Sequence, residues 1–426
     1  MRVLLIGSGG REHALAWKIA RSPRVEALLA APGSDGMADV ARCLPELEGA
    51  APAALTARAQ SEGIDLVVVG PEAPLAAGLA DRLRDAGIAT FGPSAHAAQL
   101  EASKAFAKRF MARHGIPTAA FEVFEDAGAA REHVRSLRGG CVVKADGLAA
   151  GKGVSVCDGP AEALAALDEI MGARRFGAAG DRVVIEERLL GEEASFYAVT
   201  DGDHVVTLAP AQDFKRAQDG DRGENTGGMG SYAPAARVDA ALEKRVLEEI
   251  VHPTLRGMAA EGHPYRGVLY VGLMIDAAGT PRVVEFNVRF GDPETQPLVL
   301  LTESDLVPVL DAAARGGLSR VAPPVSSGAA VCVVLASEGY PRSQTAGRPI
   351  RGLERAAEVP GVVVFHAGTR RAQGGGFVSA GGRVLGVTAR GADLREARER
   401  AYAGVSRIHF EGMHYRRDIA ARAAAR

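Results

Sequence analysis

The residue types best able to do chemistry concentrate in one stretch, Cys141-Val142-Val143-Lys144-Ala145-Asp146-Gly147-Leu148-Ala149-Ala150-Gly151-Lys152-Gly153-Val154. Its glycines free the backbone to approach a ligand closely and to aim successive N–H groups at one anion. Lys144 and Lys152 add two ammonium groups beside those donors. That combination suits a polyphosphate, where positioning and charge neutralisation are much of the catalytic task. The stretch is not a Walker A loop, because Lys152 is followed by Gly153 and a β-like run instead of Ser or Thr and a helix. A glycine-rich lid over nucleotide phosphates is the expectation; the alternative is a hairpin tip with solvated lysines.

A second constellation lies in Pro281-Arg282-Val283-Val284-Glu285-Phe286-Asn287-Val288-Arg289-Phe290. Period-two alternation along such a strand puts Glu285, Asn287 and Arg289 on one face. Two oxygen-bearing side chains so spaced suit a hard Mg²⁺ that also holds phosphates. Arg289 can stabilise negative charge on a transferring group. A merely polar strand face is the competing reading.

A third lies at the N-terminus, where Val3–Ile6 reads as a strand, Gly7-Ser8-Gly9-Gly10 as a turn, and Arg11 onward as a helix. A helix N-terminus after such a turn is available to a phosphate. The dinucleotide fingerprint fails, however, because Glu12 occupies its third glycine position and a carboxylate there would oppose a pyrophosphate. A phosphorylated small substrate is expected, with NAD the weaker alternative and a ligand-free turn the bland one.

These groups need a scaffold. Strands at Ala27–Ala31, Asp65–Gly70 and Ile88–Phe91 end in Pro32-Gly33-Ser34-Asp35-Gly36, Gly70-Pro71-Glu72 and Gly92-Pro93-Ser94, with helical patterns between them. A parallel α/β domain over 1–100 follows, its strand ends facing one crevice. Ser94 can cap a helix running to about His114 and carrying Lys104, which by itself reads as a solvated lysine. Residues 118 to about 192 read as a small α+β lid module within a central unit spanning 101–325. Arg182 to Glu193 joins a buried strand to an acidic segment, either a nucleoside-binding strand end or a charged edge strand. Gln212–Tyr232 reads as a long binding loop rich in Gly, Asp, Lys, Arg and Asn, and Val238–Glu261 as an amphipathic helix. After a Pro323-Pro324 linker, residues 326–426 read as a separate α+β cap.

Composition narrows the partners. The 426 residues carry 50 basic and 52 acidic side chains, a formal charge of -2, so no global field draws the chain to nucleic acid. No run is long enough to span a bilayer, and the apolar start is too short for a signal peptide. Cys43, Cys141, Cys157 and Cys332 show no C-x-x-C spacing, which argues against zinc and a disulfide framework and for the cytoplasm.

Taken together, GSGGREHA at 7–14, GPEAPL at 70–75, VVKADGLAAGKGV at 142–154, IEERLLGEEASF at 185–196, QDFKRAQDGDRGENTGGMGSY at 212–232, EFNVRFGDPETQ at 285–296 and FHAGT at 365–369 closely resemble one family. It is the glycinamide ribonucleotide synthetases, or phosphoribosylamine–glycine ligases, ATP-grasp enzymes of purine biosynthesis, and the resemblance covers essentially the whole chain. It implies an α/β architecture: an N-terminal parallel α/β (pre-ATP-grasp) domain, an ATP-grasp core with a mobile lid, and a C-terminal α+β domain. It also implies that ATP, glycine and 5-phosphoribosylamine give ADP, phosphate and glycinamide ribonucleotide through a glycyl phosphate. Lys104 and Lys144 would contact ATP phosphates under Gly151-Lys152-Gly153, which overturns the solvated reading of Lys104. Glu186 and the backbone near Leu189 would hold adenine, Glu193 the ribose, and Glu285 and Asn287 Mg²⁺ or Mn²⁺. Arg289 and Asp292, with Lys144, would serve catalysis near glycine and the acyl phosphate. Gly9, Gly10, Arg11, Glu12, Gly70, Pro71, Glu72, Asp213, Lys215, Asn225, Thr226 and Gly227 would line the phosphoribosylamine side. A monomer is expected, with neither nucleic acid nor membrane as partner.

Two departures stand out. The family usually reads Pro-Gly-Asn-Ala-Gly where this chain has Pro32-Gly33-Ser34-Asp35-Gly36, and often has a histidine where Phe214 stands. Histidine catalysis at that position is excluded, and affinity is in question if either position meets substrate. Another ATP-grasp ligase or carboxylase, or a non-catalytic nucleotide binder, are the competing functions.

Overall fold

The computed structural model describes residues 1–148 and 153–425. Its N-terminal sheet has five parallel strands in the order Arg42–Cys43, Ala27–Pro32, Arg2–Gly7, Leu66–Val69, Ala89–Phe91. Leu66–Val69 is apolar throughout and fully buried, as a parallel strand covered on both faces must be. Strand order reverses between Arg2–Gly7 and Leu66–Val69, so Gly7–Gly10 and Gly70–Glu72 both leave the sheet at its switch point, where such sheets form a crevice.

Next comes a four-stranded antiparallel sheet, Phe121–Phe124, Val183–Glu187, Cys141–Ala145, Val154–Cys157, backed by helices Ala127–Ser136 and Pro160–Leu167. Val183–Glu187 is an interior strand, so its charged end is not the protected edge that was one of the two readings. The helix expected from Ser94 to His114 is divided at Ser103 into Gln99–Ala102 and Lys104–Arg113. Ser103 caps the second piece by accepting from Phe106 N–H, and Asp146 accepts from both Ser103 Oγ at 2.9 Å and Ala105 N–H at 3.1 Å. The lysine-bearing helix is thus pinned at its start by the residue that opens the glycine-rich stretch.

The largest sheet has eight strands in the order Pro281–Asn287, Gly267–Ile275, Glu192–Thr200, Val205–Asp213, Gly230–Ala233, Ala329–Ala336, Arg383–Gly391, Val362–His366. Because Gly230–Ala233 pairs with Ala329–Ala336, the strands of the C-terminal unit are hydrogen-bonded onto the central sheet. The stretch expected as a long loop contains this strand and an antiparallel hairpin, Arg216–Gln218 with Arg222–Asn225. The expected helix of 238–261 forms as Ala240–Val246 and His252–Ala260 joined by a wide turn. Among the described residues no helix is long and apolar enough to cross a membrane.

Helix Gly10–Ile19 is tied to the C-terminal strands through buried His13, whose Nδ1 accepts His366 N–H at 2.9 Å and whose ring meets Phe365 edge-on. Burial lowers the pKa of His13 to about 3 and that of His366 to about 4, so both are neutral in the folded protein at neutral pH. In the unfolded chain both titrate near 6.5, so on acidification the unfolded state takes up protons first. Stability is therefore full above about pH 6.5 and declines as pH falls toward the folded values. The urea midpoint should drop between pH 6.5 and 4.5. His13→Asn offers an amide oxygen to the same N–H without titrating and should show a shallower decline; identical slopes would remove His13 from the account.

Candidate active site

The interior of the molecule holds a cavity of about 280 Å³ where the lid sheet, the central sheet and the crevice of the N-terminal sheet meet. Lys104, Lys108, Lys144, Gly153 and Glu186 line one side. Glu285, Asn287 and Arg289 line another, together with their neighbours Val284 and Phe286, and the strand ends at Asn287. Arg11, Glu72, Glu101, Asp213, Lys215, Thr226, Gly227, Asp292, Glu294 and Arg383 are among the other residues that line it.

On the lysine side, Glu186 is buried between two ammonium groups, with Lys108 and Lys144 each 2.9 Å from one of its oxygens. Lys144 also donates to Val284 O at 3.0 Å, and Lys108 to Thr118 Oγ1 at 2.8 Å. Burial lowers the Lys108 pKa to about 8, although the Glu186 charge opposes the shift. Lys104 Nζ reaches Gly147 O at 3.3 Å.

Arg289 is gripped by two carboxylates, Glu101 at 2.8 Å and Glu72 at 3.3 Å. Burial works against its charge, but those carboxylates hold the guanidinium firmly protonated. Glu285 is half-buried, which favours its neutral form, yet Lys215, Lys144, Lys104 and Arg289 keep its pKa below the usual value. An ionised carboxylate beside the side-chain amide oxygen of Asn287 is a donor set suited to a hard cation. Among the described residues no group of three or more His, Cys, Asp or Glu side chains could hold a metal. A cation here would draw its remaining oxygens from phosphate and water, as Mg²⁺ commonly does. Burial raises the Asp213 carboxyl to about 7, Lys215 opposes that shift, and Glu294, Glu193 and Glu285 reinforce it.

The crevice turn uses its glycines for a different purpose from the one expected. Glu12 folds back so that its Oε2 accepts Gly9 N–H at 2.8 Å, and its Oε1 accepts from Arg11 Nε at 2.5 Å. Side chains at Gly7 or Gly70 would collide with that carboxylate. The helix N-terminus is therefore capped internally, and its first donor is not free for a phosphate. A neighbouring cavity of about 330 Å³, lined by Gly7, Ser8, Gly9, Glu12, Pro32 and Pro71 among others, opens beside it.

Gly10 packs near Gln296 and Asp292, just outside the lining. Leu189, Glu193 and Asn225 do not line the cavity, although Glu193 accepts from Lys215 at 2.6 Å and Asn225 Nδ2 donates to Val154 O at 3.4 Å. Gly151 and Lys152 lie outside the described residues. Lys108, Glu101, Glu294 and Arg383 line the cavity without having been singled out, and only the three-dimensional contacts reveal them. The departures from the family pattern lie in packing: Phe214 meets Tyr232 and the Arg416 guanidinium, and Asp35 accepts Arg371 N–H at 2.6 Å.

Family models for phosphoribosylglycinamide synthetase match the chain in succession, the N domain over 1–101, the ATP-grasp (A) domain over 102–295 and the C domain over 330–422. The chain belongs to the phosphoribosylglycinamide synthetase family. A phosphoribosylamine–glycine ligase of Phenylobacterium zucineum is 54% identical over 430 residues, covering 100% of both chains. That of Agrobacterium fabrum is 53% identical, covering 100% of this chain and 99% of its own. The crystal structure of the Thermotoga maritima phosphoribosylamine–glycine ligase superposes with a TM-score of 0.85 at 37% identity, covering 98% of this chain and 100% of that one. The biotin carboxylase domain of a Hydrogenobacter thermophilus 2-oxoglutarate carboxylase, solved with magnesium ADP, gives a TM-score of 0.73 at 16% identity over 97% of this chain and 91% of that one. This last likeness shows a shared fold alone; the ATP-grasp assignment rests on the family model over 102–295.

In this synthetase fold Glu186 is the anion on which two buried ammonium groups depend. Glu186→Ala should cost about 3–5 kcal/mol in urea unfolding, because Lys108 and Lys144 lose their common counter-charge. A loss below about 1 kcal/mol, the range of exposed pairs, would show that the pairing contributes little.

Proposed function

We propose that this chain joins glycine to 5-phosphoribosylamine at the expense of ATP, giving glycinamide ribonucleotide, ADP and phosphate. The observation that carries this reading is the gathering, in one cavity of a phosphoribosylglycinamide synthetase, of a lysine cluster, an oxygen-donor pair and a buried arginine–carboxylate group. Lys104 and Lys144 face the nucleotide phosphates, with Gly153 lining the same side of the cavity. Glu186 orients both Lys108 and Lys144 toward that side. Glu285 and Asn287 suit Mg²⁺ or Mn²⁺, and when bound the ion supplies positive charge to the phosphate oxygens.

The γ-phosphoryl group passes to a carboxylate oxygen of glycine, and ADP leaves. Arg289, held by Glu72 and Glu101, is aimed into the cavity where that acyl phosphate forms, so no reorganisation is needed as charge develops. The amine nitrogen of phosphoribosylamine then attacks the acyl carbon. That attack forms the C–N bond; the tetrahedral intermediate then collapses, its acyl carbon–oxygen bond to phosphate breaks, phosphate leaves, and the nitrogen loses a proton. Asp213, raised to about 7, is the cavity carboxylate best matched to accept that proton near neutral pH. The crevice residues Gly9, Arg11, Glu12, Pro71 and Glu72 border the phosphoribosylamine side.

The direct test is ADP release with Mg-ATP, glycine and phosphoribosylamine generated in place from phosphoribosyl pyrophosphate, omitting each in turn. ADP and glycinamide ribonucleotide should form only with all three. Glycine-independent release would point to another ATP-grasp ligase, and ATP binding without release to a non-catalytic binder. Glu285→Ala should lower kcat by about 100-fold or more, since a metal ligand and several kcal/mol of charge stabilisation are removed; unchanged turnover would reject its role. For Asp213 the expected signature is pH-dependent. Wild-type kcat/KM should fall as pH drops below about 7, and Asp213→Asn should lack that acid limb. Retention of the limb would assign the proton acceptor elsewhere.

A further inference from the structure

Arg383 opens the strand Arg383–Gly391 in the C-terminal part of the large sheet, yet its guanidinium lines the central cavity. One of its terminal nitrogens, Nη1, donates to Gly227 O at 2.6 Å and to Asp292 O at 2.7 Å, and Nη2 donates to Asp292 Oδ2 at 2.9 Å. The other Asp292 oxygen accepts from Gln296 Nε2 at 2.8 Å. Both oxygens are therefore fixed. Burial favours the neutral acid, but Arg383 and then Arg11 keep the Asp292 carboxyl below the usual range. Gly227 is held from its other side as well, because its N–H donates to Tyr340 Oη at 2.9 Å. Tyr340 in turn lies against Gly382, where a side chain would collide with its ring.

Two cavity segments far apart in sequence, around Gly227 and Asp292, are thus referenced to one point on the C-terminal strands. A planar guanidinium can bridge three acceptors in fixed directions, which an ammonium cannot reproduce. Gly227 leaves little space for a substitute: an added Cβ would lie 3.2 Å from Arg383 Cζ and 3.3 Å from Tyr340 Oη.

We infer that Arg383, supported by Tyr340, is a positioning residue that sets the Asp292 carboxylate and the Gly227 carbonyl for the amine-transfer half of the reaction, making the C-terminal unit part of the working site. The kinetic half of this inference rests on the function proposed above. The structural half, that the two segments are held by this clamp, does not.

Both halves are tested on the full-length protein. In Arg383→Ala, amide hydrogen exchange should accelerate over residues 226–232 and 291–296 and stay unchanged over the lid strands, with nucleotide affinity within about twofold of wild type. Turnover should fall about 100-fold, the scale of a misplacement of about 1 Å, and KM for glycine or phosphoribosylamine should rise while that for ATP does not. Arg383→Lys should recover little of this, whereas added guanidinium ion at low millimolar concentration should partly restore Arg383→Ala. If Arg383→Ala does not fold, Tyr340→Phe, which removes only the Gly227 acceptor, should show the same pattern of exchange in weaker form. Unchanged exchange in these segments overturns the clamp. Accelerated exchange with wild-type kinetics overturns its positioning role. A wild-type protein that does not consume glycine defeats the functional reading, while the exchange result still decides the clamp.

Discussion

Charges removed from water must be paired, and that requirement shapes the centre of this molecule. Glu186 answers Lys108 and Lys144; Glu72 and Glu101 answer Arg289; Asp292 answers Arg383; Asp213 and Glu193 answer Lys215. The partners rarely come from the same segment. Lys108 lies on a helix of the central unit and Glu186 on a lid strand, whereas Glu72 belongs to the N-terminal crevice and Arg289 to the end of the large sheet. Pairing charges therefore also fixes the parts of the protein against one another, and leaves a cavity whose groups are already oriented.

The large sheet supplies the frame for that arrangement. Its eight strands run from the Glu285–Asn287 end through the Gly230–Ala233 strand into the C-terminal strands without interruption. A side chain at the start of Arg383–Gly391 can consequently reach Asp292, because both are anchored to one hydrogen-bonded surface. Tyr270 and Ser195, on adjacent strands of the sheet, hold Glu294 from below by hydrogen bonds of 2.8 and 3.3 Å. These contacts keep the turn after Arg289 in place.

Much of this was legible in the chain. The apolar runs Val3–Ile6 and Leu66–Val69 form buried parallel strands, as their composition led one to expect, and Glu285, Asn287 and Arg289 all reach the cavity, with Val284 and Phe286 beside them. The family motifs carried Lys104 to the cavity when its own surroundings suggested a solvated helix lysine. Other features were hidden because their cause is not local. The hairpin inside 212–232 is made of Gly, Asp, Asn and Arg, types that read as loop until a neighbouring strand pairs with them. The acidic end of Val183–Glu187 could not be told from an edge until two flanking strands were seen.

By itself, then, the sequence determined the apolar strands of the first sheet, the glycine-rich stretch, the oxygen donors Glu285 and Asn287 and the family, since each follows from residue types and spacing along the chain. It also determined that the first turn lacks a dinucleotide fingerprint. Tertiary structure decided what each charge does. Glu12 became a cap for its own helix because Gly7 and Gly70 leave it room. Glu186 became the counter-ion of two lysines, and Arg383, 91 residues from Asp292, joined the site through the sheet. Electrostatic partnership depends on distance through space in a medium of low dielectric, and spacing along the chain does not encode that distance.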